Sequence, residues 1–343
     1  MAKIFRISFH VVFLVLFPLA SSFSSNTEPK ALQKTLFQVG YHRGVLFPHH
    51  SYIEFFNEDF INAFELRLGR TLPNIRYPKP PTIGFGAYYS NLANKDIYGS
   101  ATAAYVYFDS QFTDDEKFFS IGSSIATGIS FTNKPYHKHY NPFNQAIGSH
   151  LNAFIILSLN LNFSYNSDFM MSLSPSLIHK SNGRIKLPNS GLNFHTLKLS
   201  ATYSINNKKV QLTGNDNFAP SKTRSSLVGV ISGGIREENK RNPVKQIISS
   251  VVVEYYRKLF ATGRIGAGGD LFYYSPYLSS SAVENDFKPI AVGGHVSYEI
   301  LWERLSFILQ PGIQQRVDNQ GGLRNFSRVG IRYRLNNNLL FNF

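Results

Sequence analysis

Residues 151 to 165 read LNAFIILSLNLNFSY, and they alternate. Odd positions carry Leu151, Ala153, Ile155, Leu157, Leu159, Leu161, Phe163 and Tyr165, while even positions include Asn152, Ser158, Asn160, Asn162 and Ser164. A period of two puts one set on each face of an extended strand. The pattern returns with Phe169, Met171, Leu173, Pro175 and Leu177 against Ser172, Ser174 and Ser176. It returns again with Leu197, Leu199, Ala201, Tyr203 and Ile205 against Thr196, Lys198, Ser200, Thr202 and Ser204. Polar faces this regular argue against a buried sandwich core. They fit a closed wall with a wet lumen and an apolar outside, in which every backbone group is paired strand to strand. The expected fold class is all-β, an antiparallel transmembrane outer-membrane β-barrel of about 12–14 strands.

The connections carry a second pattern. Short turns near 113–116, 166–168, 261–263 and 302–304 alternate with longer loops near 132–148, 182–190, 276–288 and 317–324. That parity matches short periplasmic turns and longer outside loops. Two connections, 71–81 and 207–223, are long where short ones are expected. The chain closes on LLFNF, with Leu339, Phe341 and Phe343 on one face, an ending that resembles the terminal signature of bacterial outer-membrane proteins.

Composition narrows the function classes. Charged residues make up 16% and aromatics 15%, with 30 Phe and 19 Tyr, which suits a surface shown to lipid. The formal charge of +14 favours anionic partners. No nucleic-acid-binding module is found, so an anionic lipid surface is the expected one. With no cysteine, thiol catalysis, disulfides and thiolate metal sites are excluded. Residues 1–25 carry Lys3 and Arg6 ahead of an apolar run and then Ala20, Ser21 and Ser22, as a cleaved secretory leader does. Residues 26–343 are expected to form one β-barrel domain in the outer membrane.

The stretch SLIHKSNGRIKLPNSGLN, residues 176–193, breaks the apolar face with His179 and Ser181. Both are odd-numbered and continue the face of Leu173 and Leu177, so they should point outward at a strand end, near headgroup level. Pairing across the loop 182–190 places Asn193 roughly opposite His179, and His195 shares its parity. Nucleophile, base and orienting group would then meet in one patch: Ser181, His179 and Asn193. Spacing leaves open whether Asn193 or His195 orients the base. Two further histidine pairs, His49 with His50 and His137 with His139, lack a nearby carboxylate cluster, so no metal is expected at either. His150 is read as lumenal or as a hydrogen-bond former. Glu65, Glu254 and Glu299 are read as lumenal carboxylates paired with arginine or lysine.

The runs His179-Lys180-Ser181-Asn182 and Pro188-Asn189-Ser190-Gly191-Leu192-Asn193 resemble the signature of the PagL-type lipid A 3-O-deacylase family, H-x-S-N followed by P-N-x-G-x-E. The segments YHRGVLFPHH and NQAIGSHLNAFI resemble larger acyloxyacyl hydrolase members. The resemblance implies an outer-membrane esterase that removes an ester-linked acyl chain of lipid A without metal or cofactor. His179 matches the base, Ser181 the nucleophile and Asn189 the oxyanion asparagine. The family's acid falls on Asn193, which can orient a ring but carries no charge, and Arg184 stands where the family has glycine. Lys180, Arg184 and Lys186 beside the loop could hold lipid A phosphates. The expected partners are lipid A or lipopolysaccharide and outer-membrane lipids, with a homodimer left open. The alternative is a non-catalytic barrel, porin-like or structural.

Overall fold

The computed structural model describes residues 30–72, 80–113, 118–211, 225–237, 245–260, 263–275, 289–302, 304–317, 322–336 and 338–342. The leader read in residues 1–25 and Phe343 lie outside them. Eight antiparallel strands close on themselves: β1 (Lys30–Leu46), β2 (Ile61–Thr71), β3 (Thr82–Asn91), β4 (Ser100–Gln111), β5 (Phe119–Thr132), β6 (Leu151–Ser164), β7 (Phe169–Ser181) and β8 (Leu192–Gln211). A short helix, α1 (Ser51–Phe55), lies in the connection from β1 to β2. Closure comes from β8 pairing back on β1 over nearly its whole length, from Lys30 opposite Gln211 to Leu46 opposite Phe194.

A second antiparallel sheet follows, of β9 (Ser225–Glu237), β10 (Lys245–Phe260), β11 (Gly263–Tyr274), β12 (Ile290–Trp302), β13 (Leu305–Arg316), β14 (Arg324–Arg334) and the short β15 (Leu340–Asn342). The all-β antiparallel barrel class therefore stands, but the expected single wall of about 12–14 strands is divided, eight closing and seven forming a second sheet. Of the connection read at 207–223, residues 207–211 belong to β8, which corrects that bound, and the rest lies outside the described residues. Alternation tells a strand which face is apolar; it does not say which distant strand it will pair with.

Apolar residues face out as the pattern requires. Phe37, Val39, Leu66, Leu68, Leu197 and Leu199 are exposed on the closed barrel, and Leu227, Ile231, Val251 and Val253 on the second sheet. The polar faces point inward, but the expected wet lumen is filled. Glu65 accepts from Arg67 Nη2 at 2.9 Å, from Lys198 Nζ at 3.0 Å and from the Tyr105 hydroxyl at 2.6 Å. Arg67 also donates to Ser124 Oγ at 3.0 Å. Nearer the β7–β8 loop the lumen is packed with apolar groups, among them Ile61, Phe154, Ile156, Ile178 and Phe194. The second sheet curls around its own charges: Arg332 of β14 reaches Glu254 of β10 at 2.9 Å and Glu299 of β12 at 2.8 Å, and Arg264 pairs with Glu299. Glu65 is thus lumenal and cation-paired as read from sequence, while Glu254 and Glu299 are cation-paired as expected but buried on one face of the second sheet.

Because Glu65 is fully enclosed between two cations, Glu65→Ala should cost about 3–5 kcal/mol by removing the carboxylate that Arg67 and Lys198 share, with Asp109, 3.5 Å from Arg67, left as the remaining partner of that guanidinium. A lowered urea or heat midpoint for the loss of unboiled-gel mobility would register it. The filled lumen also predicts that purified protein adds no steady conductance to a planar bilayer.

Candidate functional site

The site is built where β7 ends and β8 begins. Register pairs His179 directly with Asn193, as inferred from loop length, and Leu177 with His195. Along β7, Ile178 and Lys180 are buried in the lumen, while Leu177, His179 and Ser181 lie on the outer face, half-buried. Their exposure is limited by the segment that follows β1, which folds over this edge: Phe47 N donates to Asn193 O at 2.7 Å, and α1 follows it directly.

Ser181 Oγ lies 3.0 Å from His179 Nε2, and His179 Nδ1 lies 2.7 Å from Asn193 Oδ1. The amide oxygen can only accept, so Nδ1 carries the ring proton and Nε2 keeps a lone pair for the serine hydroxyl. Of the two groups spacing left open, Asn193 is the one bonded to the base. His195 instead stacks on Phe47, with ring centroids 4.8 Å apart.

The loop itself is tied down from several sides. Asn189 Oδ1 accepts from the backbone N–H of Asn182 at 2.9 Å, which sets the amide beside the residue after Ser181 and leaves its Nδ2 as the end that can donate to a ligand. Asn182 Nδ2 donates to Lys186 O at 2.7 Å. Gly183 and Arg184 both have positive φ, +63° and +69°. Arg184 therefore holds a conformation that glycine takes without strain. Gly191, at φ +77°, packs so closely that a Cβ would lie 3.1 Å from His179 Cε1.

The three lysine and arginine side chains proposed to hold phosphates separate. Lys186 is exposed on the loop and Arg184 is half-buried there. Lys180 does not reach the loop surface: its ammonium lies inside the barrel, 5.2 Å from the Tyr88 ring and 5.4 Å from that of Phe154. The cause is the strand period itself, which turns the residue between His179 and Ser181 to the opposite face.

Two groups that sequence did not bring to this patch are there. His49 Nδ1 lies 3.2 Å from Asn193 Nδ2, and His49 Nε2 lies 2.8 Å from Ser190 O. Tyr52 of α1 is hydrogen-bonded to Ser190 Oγ. The sequence carried two signals here, the paired histidines after Pro48 and the resemblance of YHRGVLFPHH to larger family members, but neither tied them to Asn193. The second sheet also contributes: Glu237, the last residue of β9, donates its N–H to Arg184 O at 2.8 Å, and its Oε2 accepts from Leu187 N–H at 2.8 Å. His150 is exposed, bonds Thr132 O at 2.8 Å and stacks on Phe131, so of its two readings it is the hydrogen-bond former and not a lumenal group.

Residues 62–202 match the family model of lipid A 3-O-deacylase (PagL), and residues 225–343 match that of the acyloxyacyl hydrolase C-terminal domain. The gap between the two matches falls where the closed barrel gives way to the second sheet. Among solved structures, the outer membrane enzyme PagL is 16% identical, covering 48% of this chain and 97% of its own, with a TM-score of 0.35. Neisserial surface protein A is 5% identical, covering 51% of this chain and 99% of its own, with a TM-score of 0.33. The β domain of the Bordetella autotransporter BrkA is 10% identical, covering 88% and 98%, with a TM-score of 0.26. No curated protein matches the chain.

Replacing Glu237 by alanine removes the acceptor that holds the Leu187 amide. Hydrogen exchange at Leu187 should then quicken by about tenfold, the scale of one net hydrogen bond, while amides of β7 and β8 keep their protection.

Proposed function

We propose that this chain, whose two sheets match the models of lipid A 3-O-deacylase (PagL) and of the acyloxyacyl hydrolase C-terminal domain, cleaves an ester-linked acyl chain from lipid A with Ser181 as nucleophile and His179 as base. The observation that carries this reading is the outward-facing hydrogen-bonded line from Ser181 through His179 to Asn193 at one end of a lipid-facing barrel.

Lipid A presents its sugar–acyl esters at the boundary of headgroup and hydrocarbon. A nucleophile at a strand end on the outer face meets that depth with little substrate movement, and the membrane itself supplies concentration and rough alignment. Ser181 Oγ attacks the ester carbonyl while its proton passes to His179 Nε2. His179 then returns the proton to the departing sugar oxygen, leaving an acyl group on Ser181. Water, deprotonated by the same nitrogen, releases the fatty acid and restores the serine. Asn189 Nδ2 is the donor for the carbonyl oxygen as it gains charge. Exposed Lys186 and half-buried Arg184 would face the phosphates of the disaccharide, while Lys180 serves the barrel interior.

Asn193 orients the imidazole but offers no charge to the imidazolium that forms when the proton arrives. The reaction is therefore expected to be slower than a carboxylate in the same place would allow.

Lipid A extracted from cells expressing the wild-type chain should lose one acyl chain by mass spectrometry, and cells expressing Ser181→Ala or His179→Ala should not. Identical spectra from all three would end the proposal. In the same assay Asn193→Glu should raise the rate by about tenfold or more, because a carboxylate at that distance from Nδ1 stabilises the imidazolium directly.

A further inference from the structure

An asparagine in the third place of such a triad poses a problem that a carboxylate does not. The two oxygens of a carboxylate are alike, and either end presented to His179 Nδ1 fixes the same tautomer. An amide has an accepting end and a donating end. With Oδ1 toward His179, Nδ1 holds the proton and Nε2 can take one from Ser181. With the amide turned over, Nδ2 would donate to Nδ1, the ring proton would move to Nε2, and the base would be lost. Something must choose.

His49 is placed to do so. Its Nε2 faces the backbone oxygen of Ser190 at 2.8 Å, and a carbonyl oxygen only accepts, so Nε2 carries the proton. The neutral ring then has a bare Nδ1, and that nitrogen lies 3.2 Å from the Asn193 amide. Only the Nδ2 end of the amide can donate there, which turns Oδ1 to His179. A single carbonyl at Ser190 thus sets the proton positions along the whole line to Ser181 Oγ.

We propose that His49 is a positioning residue that selects the working orientation of the Asn193 amide, and that this contact is what lets asparagine occupy the acid's place. The inference rests on the hydrolytic reading of Ser181 and His179, and goes beyond it to a residue outside the segment that matches the deacylase model. The anchoring of His49 is specific: Phe47 N–H holds Asn193 O, His50 lies against the His49 ring at 4.8 Å, and Tyr52 grips Ser190, the residue whose carbonyl directs the line. Both ring nitrogens of His49 are used in hydrogen bonds.

The test uses the full-length protein in detergent micelles with ¹⁵N-labelled histidine, alongside turnover of purified lipid A. His49→Phe keeps a ring and removes both hydrogen-bonding nitrogens. The His179 signals should then shift from pure Nδ1–H toward a mixture of tautomers, and kcat should fall by about tenfold, the scale of one net hydrogen bond, with little change in KM. His49→Gln, whose side chain can accept from Asn193 and donate to Ser190, should restore both readouts. In an Asn193→Glu background, His49→Phe should change kcat by less than about twofold, since no amide remains to orient. If His179 stays in the Nδ1–H tautomer in His49→Phe, or the loss persists undiminished in the Asn193→Glu background, the inference is overturned. If the tautomer shifts as expected while wild-type protein leaves lipid A intact, the positioning role holds and the hydrolytic reading falls.

Discussion

In a bilayer no water is at hand to satisfy an open backbone amide, and each of the eight strands of the closed barrel has a partner on both sides. That pairing fixes most of what matters here. Pairing of β8 with both β7 and β1 leaves no freedom of register, since a slip of one residue would turn every apolar side chain into the lumen. Because the register is fixed, Asn193 stands opposite His179 and the chain after β1 passes over the same edge. The patch is a by-product of closure: three residues from two strands and one from the segment beyond β1 converge there.

The lumen shows how such a barrel manages a polar interior without becoming a channel. Glu65 sits among Arg67, Lys198 and Tyr105, and small hydroxyl pairs such as Ser158 with Ser176 bridge neighbouring strands. Groups of this kind cost energy to bury singly and little when mutually satisfied. The apolar packing of Phe154, Ile156, Ile178 and Phe194 lies directly behind the outward face that carries His179. A rigid backing of this sort keeps the imidazole from retreating into the barrel.

Strand positions, the two faces and the outward placement of His179 and Ser181 were legible in the sequence because each follows from a local period of two. The pairing of His179 with Asn193 was legible for a related reason, as loop length sets hairpin register. What stayed hidden depends on long-range closure. Nothing near Gln211 announces that β8 will return to Lys30, so eight closed strands and a second sheet looked like one wall. His49 was hidden for the same cause: its partner is 144 residues away in sequence, and only the β1–β8 seam brings them together. Lys180 is different, since parity already placed it on the inner face and its proximity to the loop proved the weaker guide.

The clasp between Glu237 and the backbone at Arg184 and Leu187 has a consequence for biogenesis. The strand that supplies it follows the closed barrel in the chain and is itself held by β10. The hairpin bearing Ser181 is thus complete as a wall well before it is complete as a machine. A chain halted after β8 would hold every strand pair of the closed barrel, yet its β7–β8 loop would lack both contacts to Glu237 until the later sheet arrives.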